Sequence, residues 1–220
     1  MRPNVQHKQP RQVLVPFPKD RARRAVERSV EDRLEKAIDA CRRTENAASL
    51  LSEFVALVDL GCSEANYFVG CLLEEGGPDL PRDMKSAVFY YQKAVEEIGY
   101  LEAALALARI YYYGIGVPAD ASLAAQYYKA ILALKPHPIA NLMLGRMHRL
   151  GEGVAEDLKQ AEELLEHAAE ADNVYAIREL AMLRRQQKRW VLALLLGLKA
   201  GWRAFRIGLQ DLHDPRLRQA

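Results

Sequence analysis

The chain has 220 residues, half of them apolar, which is enough to bury a core and excludes wholesale disorder. Its 31 basic and 29 acidic residues leave a formal charge of only +2, but residues 1–43 sum to +6, residues 44–183 to −11 and residues 184–220 to +7. The acidic middle repels phosphate and disfavours nucleic acid as a partner. Three cysteines are too few for a disulfide-stapled scaffold, and their odd number points to a reducing compartment.

Residues 1–23 are basic and contain Pro3, Pro10, Pro16 and Pro18. They are expected to form a disordered arm, the alternative being an extended segment that docks on a partner or on the chain itself. No apolar run of secretory length is present, so a signal peptide is not expected. Residues 24–61 predict two N-terminal capping helices. The first, about 24–42, has Val26, Val30, Leu34, Ile38 and Cys41 as its apolar stripe, and the second, 46–60, carries Leu50, Leu51, Phe54, Val55 and Val58.

Residues 62–173 repeat themselves. A small residue recurs at Ala65, Ala103, Ala140 and Ala176, and a glycine turn follows each of the first three: Gly76-Gly77-Pro78, Gly114 to Pro118, and Gly151 to Val154. Asp83, Asp120 and Asp157 are then spaced by 37 residues, as are Ala87, Ala124 and Ala161, and Tyr91, Tyr128 and Leu165. Each unit predicts a helix ended by glycine, a turn, and a second helix whose first N–H groups are capped by the aspartate. Asp157 and Gln160 have the spacing of a capping box. One hairpin cannot bury its own apolar face, whereas stacked hairpins share a continuous core. The fold class is therefore all-α, an α/α solenoid of helix-turn-helix repeats.

The segment from Tyr111-Tyr-Tyr-Gly-Ile-Gly-Val-Pro-Ala-Asp120 to Ala124-Ala-Gln-Tyr-Tyr-Lys-Ala130 resembles the Sel1-like repeat, a relative of the tetratricopeptide repeat. Leu144 to Val154 with Lys159-Gln-Ala161 is similar, with Leu164-Leu165 in place of the aromatic pair; the first unit has Leu73 where a tyrosine is usual. The resemblance covers about half the chain. It implies a non-catalytic adaptor or scaffold that binds another protein or a peptide segment, of bacterial type and on the cytoplasmic side, with a regulatory subunit of an enzyme complex as a lesser alternative.

The chain carries no His-x-x-x-His or Cys-x-x-Cys pair, and its glycines do not follow a strand. Neither a metal, a phosphate loop nor another cofactor is expected, and no catalytic constellation assembles. His148 stands where the repeat has tyrosine and is expected to pack. In related solenoids the first helices line the inner face, and there the positions one and four after Gly70, Ala108 and Gly145 give Cys71, Arg109, Arg146 and Glu74, Tyr112, Arg149. With the neighbouring Tyr113, these arginines and tyrosines suit an acidic or carboxylate-ended peptide. The alternative is that they pair with local acids such as Glu74, Glu75 and Glu102. Glu162, Glu163, Glu166 and Glu170 on a second helix are expected to form a solvated outer face.

Residues 174–220 predict a capping helix and then a basic, apolar tail. Trp190 to Leu198 is apolar on every side, and Lys199, Arg203 and Arg206 oppose Trp202 and Phe205. A bilayer span is disfavoured, because three basic residues cost roughly 2.5–3.5 kcal/mol each and outweigh the leucines. The tail has four readings: it caps the solenoid, it packs against a second copy through Gly197 and Gly201, or, through Trp190, Leu194, Leu198, Lys199, Trp202, Arg203, Phe205 and Arg206, it lies on an anionic membrane or is presented to a partner protein.

Overall fold

A computed structural model describes residues 18–41, 46–171, 173–188 and 190–210. Ten helices and no strand occur among them: α1 (Pro18–Cys41), α2 (Ala47–Asp59), α3 (Ala65–Glu75), α4 (Met84–Ile98), α5 (Leu101–Tyr113), α6 (Ala121–Leu134), α7 (Pro138–Leu150), α8 (Leu158–Glu170), α9 (Val174–Gln186) and α10 (Trp190–Gln210). Each odd-numbered helix packs on the next to make a hairpin, and each even-numbered helix up to α8 packs on the first helix of the following hairpin. The result is an α/α solenoid.

The 37-residue spacing reappears in the hydrogen bonds. The backbone N–H groups of Asp83, Asp120 and Asp157 donate to the carbonyls of Leu73 (2.8 Å), Tyr111 (2.8 Å) and His148 (3.0 Å), closing the same turn three times. Each aspartate then caps its second helix, Asp83 accepting from Lys85 and Ser86, Asp120 from Leu123, and Asp157 from Lys159 and Gln160. These carboxylates satisfy N–H groups that have no partner within the helix. His148 is buried, and its Nδ1 lies 3.2 Å from the Ala155 carbonyl.

Small residues set how closely the helices approach. Ala87, Ala124 and Ala161 are buried beside Tyr91, Tyr128 and Leu165. A Cβ added at Gly70 would lie 2.6 Å from the Tyr91 ring, and one at Gly145 would lie 2.9 Å from Leu165. Large side chains of the second helices therefore fill space that the first helices leave empty. Three core clusters follow one another along the array in consequence, joining neighbouring hairpins.

Three expectations change. Helix α1 begins at Pro18, ahead of the expected start at Arg24, because proline's fixed φ suits a first helical position. Its inner face is Leu34 and Ala37, flanked by Val30 and Ile38, while Val26 and Cys41 are exposed. For Val26 the reason is length: α2 reaches about 20 Å and α1 about 36 Å, so α2 covers only the C-terminal part of α1. The α8 acids do not all face solvent, since Glu162 and Glu166 receive Arg184 from α9 at 2.8 and 2.6 Å.

Candidate functional site

The first helices α3, α5, α7 and α9 share one register. Three residues before the small positions Gly70, Ala108, Gly145 and Ala181 stand Tyr67, Leu105, Leu142 and Arg178; one residue after stand Cys71, Arg109, Arg146 and Met182. Taken in pairs, these build two hollows. The first, about 380 Å³, lies between α3 and α5 and is lined by Tyr67, Cys71, Leu105 and Arg109. The second, about 290 Å³, lies between α7 and α9 and is lined by Leu142, Arg146, Arg178 and Met182, with Tyr113 entering from α5.

Their electrostatics are opposite. In the first hollow Arg109 donates to Glu74, which also accepts from the Tyr91 hydroxyl at 2.9 Å, so this arginine is neutralised. Glu75 and Glu102 also line it and leave it acidic. Burial pushes the Cys71 thiol and the Tyr91 phenol up, so both stay protonated at neutral pH. In the second hollow Glu179 is taken by Arg149, whose Nε and a terminal nitrogen lie 3.1 and 2.7 Å from one carboxylate oxygen. Arg146 and Arg178 form no ion pair among the described residues. The Arg146 Nε is buried without a hydrogen-bond partner, and the Arg178 guanidinium lies 5.9 Å from the Tyr175 ring centroid. This hollow is basic.

The structure does not gather the six predicted partner residues at one spot. Glu74 and Arg109 pair in the first hollow, as the local-acid alternative expects. Tyr113 and Arg146 line the second. Tyr112 donates to Glu152 in the turn after α7, and burial followed by that acceptor raises its phenol. Arg149 turns to Glu179, an acid six residues beyond the end of the three units that the sequence delimits most clearly. Sequence reasoning missed Arg178, Glu179 and Met182 on α9. The signal was present, because Ala176 and Ala181 continue the small-residue register; extending the inward row by one helix yields Met182.

Helix α10 packs on α9 through a narrow strip, Leu196, Ala200 and Ala204 against Val174 and Ile177. On its opposite face Leu194, Leu198, Trp202 and Phe205 are each more than 60 % exposed, with Val191 and Leu195 beside them. Lys199 and Arg206 are exposed along one edge of this stripe, and the Arg206 guanidinium sits 5.5 Å from the Trp202 ring centroid. Arg203 is half-buried on the α9 side, and the Trp190 side chain lies outside the described residues. Among the described residues nothing lies within 4 Å of a Cβ built at Gly197 or Gly201, so neither glycine serves a close helix contact there. Among the described residues no helix is long and apolar enough to cross a membrane, and no group of three or more His, Cys, Asp or Glu side chains could hold a metal ion.

A repeated hairpin with an aspartate-capped second helix and a glycine turn defines a class of interaction solenoid. The Sel1 repeat family model matches residues 63–97, 101–132 and 138–173, and the chain belongs to the Sel1-repeat proteins, a family that generally serves protein interaction. A Schizosaccharomyces pombe protein named as a candidate ERAD-associated E3 ubiquitin-protein ligase component is 26% identical over 146 residues; the match covers 66% of this chain and 20% of that protein. Among solved structures, a protective antigen present in uropathogenic Escherichia coli strains, displaying an SLR fold, has a TM-score of 0.62 at 25% identity, over 71% of this chain and 34% of the other. A Sel1 repeat protein from Oxalobacter formigenes has a TM-score of 0.56 at 24% identity, covering 63% and 56%. The chain thus spans about a fifth of the length of its curated relative.

Proposed function

We propose that the chain is a non-catalytic scaffold that receives a peptide segment of another protein on the face formed by α3, α5, α7 and α9. The observation that carries this reading is the pair of adjacent hollows built from equivalent positions of successive first helices. A row of register-matched hollows suits an extended peptide, whose side chains recur at regular intervals. Panning random peptide libraries over the immobilised full chain tests it. Enriched peptides should lose binding to a variant in which Ala106→Trp and Met182→Trp fill the two hollows. Peptides that bind the filled variant equally well put the interface elsewhere and sink the reading.

A second reading concerns location. The outer stripe of α10 points away from the solenoid, contains no acidic residue and is edged by Lys199 and Arg206. An anionic membrane surface matches it, since each basic residue near such a surface contributes about 1 kcal/mol and the apolar stripe adds burial. A second copy matches it less well, because two tails of charge +7 repel. We expect the full chain to float with phosphatidylserine-containing vesicles, more weakly as salt rises, and Leu198→Glu/Trp202→Glu to abolish flotation. Equal flotation with neutral vesicles, or by the double variant, would rule this location out.

A further inference from the structure

We infer that the hollow between α7 and α9 is a carboxylate site, taking from the bound peptide an acidic group that stands next to an apolar side chain. This rests on the peptide-binding reading above and specifies the ligand of that same face. The inner surface carries four arginines near the two hollows, and the structure separates them into two kinds. Arg109 and Arg149 are already matched by Glu74 and Glu179 and have no charge to offer. Arg146 and Arg178 are unmatched by any acid among the described residues, and they border the same cavity from facing helices.

The Arg146 Nε is buried with no hydrogen-bond partner. Burying a guanidinium N–H unpaired is unfavourable, so the Arg146 side chain gains by turning that group towards a ligand oxygen in the cavity. Two guanidinium groups lining one cavity from α7 and α9 suit a carboxylate, which accepts from planar forks through both oxygens. The remaining wall is Leu142, Met143 and Met182, apolar and in the methionines adaptable, with Tyr113, Tyr175 and the carboxylate of Glu179, which Arg149 neutralises. A cavity of about 290 Å³ has room for one carboxylate and one medium apolar side chain. The chain is −11 over residues 44–183, so a basic hollow within it attracts acid locally while the surrounding surface turns away polyanions. The adjacent hollow between α3 and α5 is acidic, which fixes direction: the peptide's acid goes to α7/α9, and its neutral or basic portion to α3/α5.

The carboxylate can come from an Asp or Glu side chain or from a chain end, and the experiment separates the two. The full chain is panned against one random library with free C-termini and another whose peptides are fused at both ends. Enriched peptides are then titrated against wild type, Arg146→Gln/Arg178→Gln and Arg178→Glu, with thermal melts to show that each variant is folded. We expect acid beside an apolar residue in the enriched peptides, and affinity about tenfold or more weaker for both variants. Enrichment only from the free-ended library assigns a terminal carboxylate; enrichment from both assigns a side chain. Peptides that lose binding to the filled-hollow variant but lack an acid, or bind the arginine variants as wild type, overturn the carboxylate site and leave the peptide-binding face standing. No enrichment, or enrichment indifferent to the filled hollows, overturns both.

Discussion

Gly153→Ala will destabilise the fold by about 3 kcal/mol or more, lowering the melting temperature by roughly 6–12 °C. Two effects combine. Gly153 has φ +68°, a left-handed conformation that costs an alanine about 1 kcal/mol. A Cβ there would also lie 2.2 Å from the Ala121 carbonyl carbon and 2.3 Å from its oxygen, at the start of α6 in the preceding repeat. Those are backbone atoms, so no rotamer change relieves the overlap, and the third hairpin must shift away from the second. Gly151 supplies the control. Its φ is +69°, but the nearest atom to its added Cβ is 3.6 Å away, within its own turn. Urea unfolding should therefore rank Gly153→Ala well above Gly151→Ala, which should lose only about 1 kcal/mol. Equal losses would mean that backbone conformation alone decides and that the turn does not lock one repeat to the next. Neighbour coupling is what makes a solenoid cooperative, so Gly153→Ala should also broaden the transition or split it.

The second large effect lies at Arg149 and Glu179. Their side chains are 13% and 15% exposed, and they are joined by two hydrogen bonds between α7 and α9. Arg149→Met strands a mostly buried carboxylate and should cost about 3 kcal/mol. Arg149→Met with Glu179→Leu removes both charges and keeps the volume apolar, and it should return to within about 1 kcal/mol of wild type. Chemical denaturation of the two single variants and the double variant closes the cycle. If Arg149→Met alone were nearly neutral, the pair would be a surface contact of little energy. Arg149 would then again be available to a partner.

These two cases show what one sequence can and cannot carry. The aspartate spacing at 83, 120 and 157 was sufficient for the turn and the cap, because both are local: each carboxylate reaches N–H groups two or three residues away. The inward register was legible too. Cys71, Arg109 and Arg146 do border hollows, since helical periodicity fixes which residues share a face. Which arginines were already spoken for was not legible. Glu74 and Arg109 are 35 positions apart and Arg149 and Glu179 are 30, and their pairing depends on how closely consecutive hairpins stack. The extent of α1 was misjudged for a similar reason, because Val26 belongs to a sound helical stripe that α2 is too short to cover.

The sequence by itself therefore determined the all-α class, the hairpin repeat, the capped turns and the side of each helix that faces inward. Those follow from interactions within a few residues and from a periodicity that repeats three times. Only the tertiary structure decided that Arg109 and Arg149 are neutralised while Arg146 and Arg178 share a basic hollow, and that the broad apolar face of α10 is left outward. Packing between hairpins fixes those features, through small residues that set helix separation, and separation determines which charges meet.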